Sequence, residues 1–141
     1  MVDDDGARPE IPLALLLLRA SRWFDRRVID GLEELGHPRL TAAQTLAFAH
    51  LDPDGTPPAE LARRLGTTRQ STADLVAGLT RLGLLASEPD PGRTRGRLVV
   101  LTADGRSLAG DARELLAAEE ERLPAARVRR LREALVALDL A

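Results

Sequence analysis

The 141-residue chain contains no cysteine, no lysine and no asparagine. Without thiols there can be no disulfide, no thiolate metal site, no cysteine nucleophile and no redox-sensing cysteine. Aromatic residues make up 2% of the chain, too few for the stacking platforms that hold single-stranded nucleic acids. All 20 basic residues are arginine, and alanine, leucine, glycine and proline abound. Lysine and asparagine use AT-rich codons, so the bias points to a GC-rich bacterial genome. The formal net charge of −2 supplies no global positive field, and a nucleic-acid partner has to be argued from local charge. The opening Met1-Val2-Asp3-Asp4-Asp5 is acidic where a signal peptide is basic. The apolar run over residues 11–18 is too short to cross a bilayer, and Arg19 follows it. A cytoplasmic protein without a membrane partner is therefore expected.

What is present is an ordinary globular composition, 44% apolar and 30% charged. Residues 1–10 read as a disordered acidic tail. Residues 12–35 read as a long helix, with Leu15, Leu18, Trp23, Val28, Leu32 and Leu35 at roughly helical spacing and Gly36-His37-Pro38 to end it. Such a helix, apolar on more than one side in so small a chain, calls for a partner subunit. Thr41 and Gln44 have the spacing of a capping box and start a second helix that should carry Leu46, Ala47 and Leu51 inward. Thr56-Pro57-Pro58 opens a short third helix, with Thr56 as its cap, and Gly66 closes it. Thr67 and Gln70 suggest a second capping box and a fourth helix whose buried stripe is Leu75, Val76, Leu79 and Leu82. Two short strands then flank a Pro/Gly/Arg loop, the second being Arg97-Leu98-Val99-Val100-Leu101. Thr102 caps a fifth helix, Pro124 breaks it, and a last helix aligns Val128, Leu131, Leu135 and Leu138.

Enzyme signatures are missing: no P-loop, no Gly-x-Gly-x-x-Gly, no His-Glu-x-x-His and no Gly-x-Ser-x-Gly. With two histidines at unsuitable spacing, neither a metal site nor a cofactor is expected. The Glu119-Glu120-Glu121 run fans around a helix and reads as a solvated face. The order helix, short helix, Gly turn, longer helix, basic hairpin is that of a winged helix-turn-helix, with Ala62 small enough for the two helices to cross closely. Charge agrees: residues 60–100 hold seven arginines against four acids, net +3, while every other segment is net negative.

These residues resemble the MarR family of bacterial winged helix-turn-helix transcription regulators. The resemblance rests on Leu40-Thr41-Ala42-Ala43-Gln44, Leu61-Ala62-Arg63-Arg64-Leu65-Gly66, Leu79-Thr80-Arg81-Leu82-Gly83-Leu84-Leu85 and Leu98-Val99-Val100-Leu101-Thr102-Ala103-Asp104-Gly105. It implies a mainly α fold with a small β-hairpin wing. Residues 11–36 and 103–141 would supply dimerisation helices, and residues 37–102 the DNA-binding region. It also implies a homodimer on a pseudopalindromic double-stranded operator, released in many relatives by a small aromatic or anionic effector. The chain departs from the usual pattern at Ala73-Asp74, where relatives often have Thr-Arg, and near Ser87, where they often carry a basic residue. In the wing Arg93-Thr94-Arg95 keeps an arginine but not the usual aspartate.

Arg69, Gln70, Ser71 and Thr72, on the first turn of the recognition helix, are the expected base-reading residues. Arg95 is the minor-groove candidate, and Arg93 and Arg97 are phosphate contacts. Trp23, Arg27 and His37 are candidates for an effector site; dimer packing for Trp23 and a helix-end position for His37 are the simpler alternatives. A transcriptional repressor is the expected function. The alternative is a ligand-binding or protein-interaction dimer on the same fold, with weak or lost DNA binding, which Asp74 and the missing wing aspartate motivate.

Overall fold

A computed structural model describes residues 9–140 of the chain, so the expected tail lies almost wholly outside the described residues. Helix α1 (Leu13–Glu34) starts behind Pro12 and stops at Gly36, whose φ of +93° suits glycine. Helix α2 (Ala42–Ala49) carries the predicted capping box: the Thr41 hydroxyl accepts from the Gln44 N–H at 3.1 Å, and the Gln44 side chain accepts from the Thr41 N–H at 2.9 Å. Helix α3 (Pro58–Leu65) follows Pro57 and ends at Gly66, φ +64°. Thr56 does not cap it. Thr56 is buried and exchanges two backbone hydrogen bonds with Val99 at 2.9 and 2.8 Å, while its hydroxyl accepts from the Asp52 N–H.

Helix α4 (Arg69–Arg81) is capped by Thr68, one residue later than predicted; its hydroxyl accepts from the Ser71 N–H at 3.0 Å. The shift has a cause in the preceding helix. The Thr67 N–H closes α3 by donating to the Ala62 carbonyl, so the new helix can begin only at Thr68. Strands β1 (Leu85–Pro89) and β2 (Arg97–Leu101) form an antiparallel hairpin with Leu85 opposite Leu101 and Pro89 opposite Arg97. Helix α5 (Ala103–Glu121) is capped by Thr102, as predicted, and α6 (Ala125–Ala137) follows Pro124.

The core gathers Val28 and Leu32 of α1, Leu40, Ala47 of α2, Leu79 of α4, Leu84, Leu85, Val99 and Leu108 of α5. Helix α1 packs on α5 and α2, and α3 and α4 cross beside the hairpin. Two residues expected inside are not. Leu46 is 51% exposed and Leu82 40% exposed, on the outer edges of their helices. No residue of α6 is buried, and Leu13, Leu15, Leu16 and Leu18 are exposed on α1. Among the described residues no helix is long and apolar enough to cross a membrane.

The α2–α3 turn is clamped by charge. Arg64 donates to Asp52 through Nη1 and Nη2, both at 2.9 Å, and to the His50 carbonyl at 2.9 Å, while Arg63 and Arg64 share Glu60. Hydrogen bonds from Arg63, then Arg64, lower the Glu60 carboxyl from 4.5 to about 2, and Arg64 also lowers Asp52. A depressed carboxylate stabilises the fold above its unfolded pKa, and that contribution is lost as pH falls through the folded one. The thermal midpoint of an Arg63→Ala/Arg64→Ala variant is therefore expected to fall less steeply between pH 4.5 and about 2 than that of the parent chain. Parallel curves for the two proteins would remove the clamp from the account.

Candidate nucleic-acid interface

The first turn of α4 projects away from the core with Arg69, Gln70 and Ser71 exposed, followed by Ala73 and Asp74. Ser71 receives a hydrogen bond from the Thr68 hydroxyl at 2.9 Å and keeps its own O–H to donate. The Gln70 side-chain N–H donates to Asp74 at 3.0 Å, one helical turn on. Thr72 corrects the expected set. It is 1% exposed, and its hydroxyl donates to the Thr68 carbonyl at 2.9 Å. Thr72, Val76 and Leu79 follow helical spacing on the inner stripe of α4, so the side chain of Thr72 cannot reach a groove.

The wing loop carries Arg93, Thr94 and Arg95 on its outside. Asp90, which the sequence reading did not single out, organises it. Its carboxylate accepts from the Gly92 N–H at 2.9 Å, its carbonyl accepts from the Arg93 N–H, and its own N–H donates to the Gly96 carbonyl at 2.8 Å. The Pro89-Asp90-Pro91-Gly92 run was legible as a turn, but not as the support of two arginines. Arg97 stays exposed, yet it is held across the ladder: Nε donates to the Ser87 hydroxyl at 2.7 Å and Nη2 to the Ser87 carbonyl at 2.8 Å. Only its Nη1 has no partner among the described residues, so Arg97 is first a staple of the hairpin.

Helix α4 and the hairpin enclose a cleft of about 600 Å³, which Arg69, Arg93 and Arg97 line over a floor that includes Ala73, Val76 and Val99. Arg95 stands outside it, on the loop. Among the described residues none of these four arginines has a carboxylate partner, in contrast to Arg63 and Arg64 on the adjacent helix.

The three effector candidates do not share a pocket. Arg27 lies over Trp23, 4.4 Å from the ring centroid, and Trp23 meets Phe24 edge to face at 4.9 Å. The Arg27 Nε is 3.5 Å from the Glu119 carboxylate. His37 pairs instead with Asp111 at 2.6 Å. Asp111 and Glu119 are two turns apart on α5, about 12 Å along its axis. A cleft of about 400 Å³ lies between α1, α2 and α5 and includes Asp25, Thr45, Phe48, Leu108, Arg113 and Leu116 in its walls. None of Trp23, Arg27 and His37 lines it. Its residues come from segments some sixty positions apart, which no local spacing reveals.

Residues 39–96 match the sequence model of the MarR family. No curated protein matches the chain. The reduced form of E. coli MarR is similar over 94% of this chain and 99% of its own, with a TM-score of 0.74 and 25% identity. A MarR family protein of Mycobacterium tuberculosis, solved in complex with salicylic acid, is 29% identical over 92% of this chain and 98% of its own, with a TM-score of 0.65. An S. aureus MepR mutant bound to an oligodeoxyribonucleotide shares the fold over 92% of this chain and 96% of its own, at 20% identity and a TM-score of 0.59. Six helices and a two-stranded wing among the described residues, a helix-turn-helix segment that matches the family model and similarity along the whole length agree: the chain has the fold of the MarR-family transcription regulators and is similar to that family over residues 39–96.

Proposed function

We propose that the chain is a sequence-specific, homodimeric repressor of transcription. It would hold a pseudopalindromic double-stranded operator in the cytoplasm and be released by a small aromatic or anionic effector. The observation that carries this reading is the set of arginines on the α4–wing surface, Arg69, Arg93, Arg95 and Arg97, exposed and without carboxylate partners among the described residues. Backbone phosphates answer such charge, and the first turn of a recognition helix answers base edges. A MepR of the same fold binds an oligodeoxyribonucleotide. Residues 37–102 would then be the DNA-binding part. Residues 11–36 and 103–141 would be the dimerisation part, since α1 and α6 leave leucines uncovered in the single chain. For the effector we favour the α1–α2–α5 cleft, where Arg113 offers a cation beside the apolar walls that Phe48 and Leu108 provide. The relative from M. tuberculosis was solved in complex with salicylic acid, an aromatic acid, which supports this reading.

The test is fluorescence anisotropy with the chain's own upstream duplex and a scrambled duplex, across a salt series. Tight, sequence-dependent and salt-sensitive binding is the expected result. Arg93→Ala and Arg95→Ala should weaken binding to both duplexes, Arg95→Ala through its lost minor-groove contact and Arg93→Ala with a salt slope lower by about one unit for the phosphate it no longer neutralises. Unchanged affinity and slope would take the wing out of the interface. Asp74, an acid on the reading helix, favours the second reading, a ligand-binding or protein-interaction dimer with lost DNA recognition. Specific duplex binding at physiological salt would eliminate that reading.

A further inference from the structure

We propose that Asp74 is a specificity-determining residue that acts through Gln70, locking its amide so that the recognition helix selects an A·T pair at one fixed position of each half-site. The inference rests on the DNA-binding reading above and goes beyond it, because it assigns a role to the acid that stands where relatives often have arginine.

Gln70 and Asp74 are four residues apart, so they share one exposed face of α4. The Gln70 Nε2 donates to the Asp74 carboxylate at 3.0 Å. A carboxylate can only accept. The reversed amide would set two acceptor oxygens against each other at that separation, so Asp74 permits one of the two amide orientations. In the proposed arrangement the N–H trans to Oε1 is the one spent on Asp74. The other N–H and the Oε1 remain side by side on the opposite edge of the amide. That edge is an acceptor beside a donor, the complement of adenine's N6–H2 and N7 in the major groove. Guanine presents two acceptors there, O6 and N7, and a locked amide meets O6 with its own oxygen. A glutamine without that restraint can swing its NH2 group into the groove and donate both N–H groups to O6 and N7. Asp74 removes that freedom.

The same carboxylate has a second effect, of opposite sign. It stands on a surface that faces phosphates, and like charge there weakens binding to any duplex. Asp74 thus trades general affinity for selectivity, which an arginine in its place would not do.

The experiment is selection from a random-core duplex library with the parent chain and with Gln70→Ala, Asp74→Ala, Asp74→Asn, Asp74→Glu and the Gln70→Ala/Asp74→Ala double variant. Anisotropy on the selected duplex and its A-to-G counterpart follows. Parent discrimination between the two duplexes is expected to fall about tenfold in Asp74→Ala. It should fall similarly in Asp74→Asn, whose amide accepts either orientation of Gln70, and recover largely in Asp74→Glu, which keeps an acceptor within reach. The double variant should lose no more discrimination than Gln70→Ala alone, because the two residues act as one. Affinity of Asp74→Ala for a scrambled duplex should rise about threefold at low salt. Unchanged discrimination in Asp74→Ala, or losses at a different base pair that add to those of Gln70→Ala, would overturn the inference while leaving DNA binding intact. A parent chain that selects no motif at all would overturn both this inference and the reading it rests on. Far-UV circular dichroism of each variant separates loss of selectivity from loss of fold.

Discussion

Gly105→Ala is expected to destabilise the fold by about 3 kcal/mol. Propensity alone predicts the opposite sign, because alanine inside a helix is worth up to about 1 kcal/mol over glycine. Packing decides. A Cβ at position 105 would lie 2.0 Å from the Leu84 carbonyl oxygen and 3.1 Å from its carbon. Both atoms are backbone, so no side chain can swing aside. Nor can that backbone shift freely. The Leu84 N–H donates to the Leu79 carbonyl, its carbonyl accepts from the Thr102 N–H at 3.1 Å, and its side chain is buried. Gly105 is therefore where the start of α5 presses on the corner between α4 and β1, the point at which the long helices touch the wing. Gly110, five residues on in the same helix, has nothing within 4 Å of its added Cβ. Gly110→Ala should accordingly stabilise by about 0.5–1 kcal/mol. Urea titration of the two variants reads both signs. Equal, stabilising shifts would mean that the corner is open and the close approach does not hold.

The contrast between those glycines marks what the sequence could and could not convey. The Thr102-Ala103-Asp104-Gly105 run was legible as a helix start, and Thr102 caps α5 as expected. The Thr41 and Gln44 box was legible for the same reason: a cap is a contact within four residues. Where two local signals compete, spacing fails. Thr67 and Thr68 both qualify as caps, and the choice depends on how many residues the Gly66 turn consumes. Burial on one face of α4 could be read to within a residue or two, which placed Leu79 inside but let Thr72 pass for a reading residue. The cross-strand staple from Arg97 to Ser87 needs the hairpin register, and the pairing of His37 with Asp111 joins positions 74 apart. The cleft between α1, α2 and α5 is of that long-range kind as well. Arg69, Gln70, Ser71, Arg93 and Arg95 are exposed on the elements where the sequence put them, because helix order and loop composition are local properties.

A Leu16→Glu/Leu131→Glu double variant is expected to lose dimerisation, and with it at least about a hundredfold in affinity for a two-half-site operator. Leu16 is 46% and Leu131 54% exposed in the single chain, and Val136 on the same helix as Leu131 is 76% exposed. In a monomer such substitutions touch little and should change stability by about 0.5 kcal/mol or less. In a dimer that covers these faces, each leucine, already about half covered, contributes about 1 kcal/mol by burying the remainder. Each glutamate adds the cost of a carboxylate taken out of water without a partner. The predicted loss therefore appears only if a second copy covers α1 and α6. Sedimentation velocity reads the mass, circular dichroism reads the fold, and anisotropy on operator and half-site duplexes reads the linkage. On the half-site, where one recognition helix suffices, the variant should bind nearly as well as the parent if its monomer stays folded. A variant that sediments as a dimer would show that these leucines lie outside the subunit interface. A folded monomer that still held the full operator with parental affinity would show that the two recognition helices are not joined through it. A monomer that unfolds would also be informative, because helices with so little of their apolar surface covered within one chain then depend on the second copy for their stability.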